Sequence, residues 1–181
     1  MKRPAAFIDR DGTLIEEVNF LSRIEDLRLF PFTRQALAAL KDAGFYVIVV
    51  TNQSGIGRGL YSEAAMDAIH EEMQVRLGDL IDAFYFCPHL PNEGCRCRKP
   101  NLGMIEGACA EYEIDLQRSW MIGDKRLDIE TGHNAGISTA LVKTGYGAGH
   151  LSELKNLPDI VADDLLDAVR QLLARSAGVG V

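Results

Sequence analysis

Short runs of β-branched and apolar residues alternate along this chain with stretches of helical period. Ala5-Ala6-Phe7-Ile8 and Tyr46 to Val50 read as buried strands, each followed at once by polar residues and glycine. Ala83 to Phe86, Trp120 to Ile122 and Thr139 to Val142 give three further strands. Between them, Met66, Ile69, Met73 and Leu77 recur at helical spacing behind Ser62, a residue type that caps helix N-termini. Leu165, Leu166, Val169, Leu172 and Leu173 form one apolar face of a last helix. The rhythm β-α-β-α-β predicts an α/β fold, a Rossmann-like doubly wound parallel sheet with helices on both faces.

Two stretches depart from that rhythm. Leu14 to Phe30 is an excursion after the first strand, expected as a small hairpin or flap, and Cys87 to Gly103 is rich in Pro, Cys, Gly and charge. No repeat or long linker divides the chain, so residues 1–175 are expected as one domain and 176–181 as a flexible tail. A chain of 181 residues can bury a sizeable core without disulfides. A net charge of −7 argues against nucleic acid as the main partner, while leaving room for a small phosphate ester in a local pocket. The apolar run near the N-terminus stops at Asp9 and Arg10, too short for an export signal, and no other run is long enough for a membrane span. The cytoplasm and a monomer without a membrane partner are the expectations. Cys87, Cys95 and Cys97 fall in one short segment, which in a reducing compartment reads as metal binding before disulfide bonding.

In an open parallel sheet, ligands bind beyond the carboxyl ends of the strands. The polar residues there are Asp9-Arg10-Asp11-Gly12-Thr13, Thr51-Asn52-Gln53-Ser54-Gly55, Arg98-Lys99-Pro100 and Gly123-Asp124-Lys125-Arg126-Leu127-Asp128. By strand alternation, Asp9 and Asp11 face one site while Arg10 points away. Close carboxylates repel unless a cation or proton intervenes, and hard oxygen ligands suit Mg²⁺, with Asp124 completing the set. Thr51 and Lys99 supply a hydroxyl and a fixed charge of the kind that phosphoryl transfer needs. Cys87 and His89, a five-residue gap, then Cys95 and Cys97 offer three thiolates and an imidazole. That is a full tetrahedral Zn²⁺ set, with no position left for a reacting water, and so a structural metal. Cys109 is expected buried in a helix, while His70, His133 and His150 are expected at the surface or at helix ends. Arg58, between Gly57 and Gly59, is read either as reaching a second phosphate or as lying on a mobile loop.

The order Asp-x-Asp-Gly-Thr, strand-end Thr, Lys-Pro, Gly-Asp-x-x-x-Asp resembles the haloacid dehalogenase superfamily of phosphatases, from about Ala5 to Gly147. Thr51 to Gly59, Cys87-Pro88-His89, Cys95 to Pro100 and Gly123-Asp124-Lys125 resemble the heptose bisphosphate phosphatases more narrowly, with histidinol-phosphate phosphatases as close relatives. The resemblance implies Asp9 as nucleophile and Mg²⁺ ligand. It implies Asp11 as acid and then base, its carbonyl touching the metal. Thr51 and Lys99 would hold the transferring phosphoryl group; Asp124 would bind Mg²⁺, and Asp128 would reach it through water. Arg98, Asn52, Gln53 and Ser54 would recognise the rest of the substrate, with Asn19 of the flap and Lys125 also at the site. No stretch has room for a large cap domain, so an open site is expected, shaped by the flap, the Gly55–Leu60 loop and the short zinc-bound loop.

The substrate reading is a sugar bisphosphate, carried by the Gln-Ser-Gly-Ile-Gly-Arg-Gly and Gly-Asp-Lys runs. The five-residue gap in the zinc loop points instead to histidinol phosphate. A different class, the phospho-accepting receiver domain, also sets acidic residues, a Thr and a Lys around Mg²⁺ on an α/β sheet. It lacks a carboxylate two residues beyond the phosphorylated one.

Overall fold

The computed structural model describes residues 1–178. Six strands form one sheet, β1 (Ala5–Ile8), β2 (Tyr46–Asn52), β3 (Ala83–Cys87), β4 (Trp120–Gly123), β5 (Ser138–Val142) and β6 (Ile160–Ala162), in the order β3-β2-β1-β4-β5-β6. Every neighbouring pair is parallel. The five strands expected from the sequence are present; β6 is an addition, three residues long, whose central Val161 is partly exposed.

Alternation along β1 divides the core. Ala6 and Ile8, with Val47 and Val49 of β2, meet helices α1 (Thr33–Asp42), α3 (Glu63–Leu77) and α7 (Leu165–Gly178) through Leu37, Leu40, Ile69, Met73, Val169 and Leu172. Ala5 and Phe7, with Ile48 and Val50, face the opposite layer, where α4 (Gly103–Glu111) contributes Met104, Ile105 and Ala108. Both faces of the sheet are therefore buried, as parallel strands require. Each large aliphatic side chain so placed is worth roughly 1.5–3 kcal/mol. Helix α3 starts as its sequence dictates: the Ser62 side chain accepts the Ala65 N–H at 3.1 Å. Two short helices, α2 (Ser54–Gly57) and α6 (Gly147–His150), and α5 (Arg126–Ala135) complete the fold.

The excursion after β1 is pinned by an antiparallel bridge between Ile15 and Leu29, and Leu14, Leu21 and Leu27 bury themselves in the core. It is a flap with a fixed base, and among the described residues there is no large cap. At the other end, α7 takes in Ser176 to Gly178, so part of the expected tail is helical; residues 179–181 lie outside the described residues. Among the described residues no helix is long and apolar enough to cross a membrane.

The chain passes outward from β1 through β2 to β3, then returns to β4 on the other side of β1. That reversal places the switch point between β1 and β4 and fixes where a ligand can enter. Asp9 follows β1 directly and Asp124 follows β4 directly.

Candidate active site

Asp9 sits at the mouth of the switch point, only 3% exposed. Its Oδ1 accepts the Arg10 N–H at 2.9 Å and lies 2.9 Å from Lys99 Nζ, while Oδ2 is 3.5 Å from Lys125 Nζ. Burial pushes the Asp9 carboxyl upward, but Lys99 and Lys125 together outweigh it and hold the pKa at about 2. Asp9 is therefore an anion at neutral pH. Lys99, 3% exposed, also donates to Asp128 Oδ1 at 2.6 Å and to the Val50 carbonyl at 2.9 Å. Burial works against its charge, and Asp128 and Asp9 more than restore it.

Asp124 shows the opposite balance. Burial and then the neighbouring Asp9 drive its pKa up to about 8. Its Oδ2 accepts the Tyr146 N–H at 2.9 Å, whereas Oδ1 is buried without a hydrogen-bond partner. One carboxylate oxygen each of Asp9, Asp124 and Asp128 lie within 4.8 Å of one another. Three acids thus share two lysines, and an orphaned oxygen faces the gap. A hard divalent cation fits that deficit and would return Asp124 to its ionised form. Asp128 is less free to serve it: Oδ1 takes Lys99 and Oδ2 accepts the Lys125 N–H at 2.9 Å, closing the first turn of α5.

Gly12 makes this cluster possible. Its φ is +82°, and a Cβ there would stand 2.3 Å from Asp124 Oδ2. Gly12→Ala is expected to displace Asp124, to cost roughly 1–3 kcal/mol by overpacking, and to lower activity sharply. Thermal melts and turnover measured side by side check it; unchanged values of both would contradict the role given to this close approach.

Asp11 occupies a second cluster. Its carboxylate lies outside the three-acid group and receives Arg10 Nε at 3.0 Å, Arg10 Nη2 at 3.1 Å and Gln53 Nε2 at 2.9 Å. Arg10 does not point away from Asp11 as alternation suggested; it is fully buried and forks onto that carboxylate. The strand ends at Ile8 and the chain turns at Gly12, so the two-residue period does not extend past Asp9. Gln53 Nε2 also donates to Thr51 Oγ1 at 2.8 Å, which leaves the Thr51 proton for another acceptor. His70 is a further correction: it is buried at 6% exposure, stacks on Phe84 with ring centroids 4.3 Å apart, and lies 3.2 Å from Arg10 Nη1. Burial, with Arg10 adding to it, lowers its pKa to about 3. His150 does lie at a helix end, where its Nδ1 accepts the Arg126 N–H.

The remaining expected residues divide by task. Asn52 holds the Lys99 backbone, accepting its N–H at 3.0 Å and donating to its carbonyl at 3.3 Å, so its amide is committed to placing the lysine. Asn19, Gln53 and Ser54 line one hollow with Asp11, Phe20 and Tyr61. Arg98 donates to the His89 carbonyl at 3.3 Å. Lys125 ties Asp9 to Glu17 of the flap at 3.2 Å, a contact the sequence did not suggest because 108 residues separate the pair. Arg58 is exposed and lies over the Phe20 ring at 5.7 Å, joining the loop after β2 to the flap.

The cysteine segment forms its own cluster behind Lys99. Cys87 Sγ is 3.5 Å from both His89 Nδ1 and Cys95 Sγ, Cys97 Sγ is 3.2 Å from His89 Nδ1, and the Cys95–Cys97 separation is 3.6 Å. A disulfide needs sulfurs about 2.05 Å apart. Thiolates at about 2.3 Å and an imidazole at about 2.0 Å, tetrahedrally placed around zinc, stand roughly 3.5–3.8 Å apart, and the 3.2–3.6 Å separations here lie close to that and far from a disulfide. Cys109 lies in helix α4 and apart from this group, but is half-buried where burial was expected.

An aspartate pair after β1, a hydroxyl at the end of β2, a lysine and the acids after β4, gathered at one switch point, define a phosphatase of the haloacid dehalogenase type. The family model for HAD-hydrolase-like proteins matches residues 96–168. A D-glycero-D-manno-heptose-1,7-bisphosphate 7-phosphatase of Thermosynechococcus vestitus is 41% identical over 98% of this chain and 99% of its own. The D-glycero-alpha-D-manno-heptose-1,7-bisphosphate 7-phosphatase of Photorhabdus laumondii is 41% identical over 84% and 89%. The crystal structure of D,D-heptose 1,7-bisphosphate phosphatase from B. bronchiseptica, complexed with magnesium and phosphate, superposes with a TM-score of 0.87 at 35% identity, covering 95% of this chain and 99% of that one. This chain belongs to the D-glycero-D-manno-heptose-1,7-bisphosphate 7-phosphatase family. The receiver-domain alternative is thereby set aside.

Proposed function

We propose that the protein removes the C7 phosphate of D-glycero-D-manno-heptose 1,7-bisphosphate through a phospho-aspartate formed at Asp9. The observation that carries this reading is the buried Asp9 carboxylate, kept anionic between Lys99 and Lys125 at the switch point. The names of the relatives supply the sugar, and the magnesium and phosphate of the B. bronchiseptica complex agree with the donor set here.

Asp9, Asp124 and the Asp11 carbonyl would hold Mg²⁺, with Asp128 reaching it through water. When bound, the ion offsets carboxylate charge and polarises a phosphoryl oxygen. An Asp9 oxygen attacks phosphorus as the bond to the sugar oxygen breaks, and the electron pair leaves on that oxygen. Asp11 gives it a proton. Lys99 and the Thr51 hydroxyl balance charge on the equatorial oxygens. In the second half-reaction Asp11 takes a proton from water, which attacks phosphorus, and the bond to Asp9 breaks to free phosphate and the carboxylate. Asn19, Ser54, Arg98 and Lys125 recognise the ester, while Gln53 holds Asp11 and Thr51 in place. Steady-state kcat/KM for both anomers of the heptose bisphosphate and for histidinol phosphate tests the substrate. One heptose anomer is expected to lead by tenfold or more, and a lead for histidinol phosphate would overturn the sugar reading.

The same reading assigns a structural Zn²⁺ to Cys87, His89, Cys95 and Cys97. It would pin a loop without regular structure immediately before Arg98 and Lys99. Protein purified without added metal is expected to carry about one zinc per chain by elemental analysis. Stripping it should loosen the loop and lower activity together. Well-folded, active protein free of zinc would contradict this assignment.

A further inference from the structure

We propose that Arg10 and a neutral His70 are positioning residues that set the direction of the Asp11 carboxylate. The inference rests on the acid/base reading of Asp11 and extends it to two side chains to which that reading gives no part in holding the phosphoryl group or the metal.

The guanidinium is fully buried and spent on two partners. Nε and Nη2 form a fork on the two oxygens of Asp11 at 3.0 and 3.1 Å, and Nη1 meets His70 Nε2 at 3.2 Å. An arginine has donors and no acceptor, so Nε2 must accept, which fixes the proton of the imidazole on Nδ1. A protonated His70 would set two cations face to face. Stacking on Phe84, at an interplanar angle of 13°, holds the plane of the ring against the guanidinium. His70 therefore anchors the far end of the fork, α3 carries His70, and the core packing of α3 locks the whole arrangement. Gln53 fixes the same carboxylate from the β2 side at 2.9 Å, with its own carbonyl oxygen held by the Tyr61 hydroxyl. A proton donor and acceptor used in both half-reactions needs this kind of fixed aim, since a displacement of about 1 Å can cost about a hundredfold in rate.

The test compares Arg10→Lys, His70→Leu and His70→Gln with Asp11→Asn on two esters. One is the heptose bisphosphate, whose alkoxide needs a proton to leave. The other is p-nitrophenyl phosphate, whose nitrophenolate leaves without one. Arg10→Lys and His70→Leu are expected to lower kcat on the sugar ester roughly ten- to a hundredfold with KM nearly constant. The nitrophenolate burst should fall far less. His70→Gln keeps an uncharged acceptor and should recover most of the sugar-ester rate. If His70→Leu, folded by circular dichroism, loses both reactions by one factor or neither reaction at all, the positioning role is overturned. His70→Leu removes no charge and decides the matter even if Arg10→Lys does not fold. An unimpaired Asp11→Asn would instead overturn the acid/base reading beneath it.

Discussion

Asp9→Asn is expected to lose turnover by a factor on the order of 10⁴ to 10⁶, the scale seen when a covalent nucleophile is removed. An amide in that place has no anionic oxygen to offer phosphorus, while its size and its contact with the Arg10 N–H are kept. The fold should survive. Lys99 retains Asp128 at 2.6 Å, and the loss of one charge relieves the repulsion that raises Asp124. Lys99 and Lys125 lose a carboxylate whose lowered pKa marks its ionised form as stabilising, so the thermal midpoint is expected to fall modestly while activity disappears. Turnover within tenfold of the unmodified protein, in a sample free of contaminating phosphatase, would refute the nucleophile.

Asp11→Asn is expected to cost roughly 10² to 10⁴ in kcat on the sugar ester, the usual worth of a positioned acid or base. The loss should fall on both half-reactions. Asparagine can neither protonate the departing alkoxide nor take a proton from the attacking water. Its NH₂ group also meets the Arg10 fork donor to donor, so one arm of the clamp is lost. With p-nitrophenyl phosphate the first half-reaction needs no acid, and a burst should persist ahead of slow turnover. Equal rates for the variant and the unmodified protein on the sugar ester would remove Asp11 from the chemistry.

The strand-end acids were legible in the sequence because the signal is local. An apolar run buries a strand, and the polar residue that ends it must lie at the sheet edge, as Asp9 and Asp124 do. The Cys87-to-Cys97 cluster was legible for the same reason, its four side chains lying at the end of β3 and in the segment that follows. What escaped depends on contacts across the fold. His70 sits beside Ile69 on a helix and carries no pattern of its own; its meaning comes from Arg10, 60 residues earlier. Asn52 looks like a substrate ligand in sequence, yet it grips the Lys99 backbone 47 residues away. Strand β6 is too short and too exposed at Val161 to announce itself, and only pairing with β5 defines it.

The most direct test of the account is to find where the phosphoryl group goes. Asp11→Asn mixed with p-nitrophenyl phosphate should accumulate the covalent adduct, since its formation needs no acid and its breakdown lacks a base. Acid quench, borohydride reduction of the acyl phosphate and peptide mass spectrometry would then identify the residue. The account predicts modification at Asp9 in proportion to the nitrophenolate burst. A burst with the phosphoryl group on any other residue, or already free in solution, would contradict it.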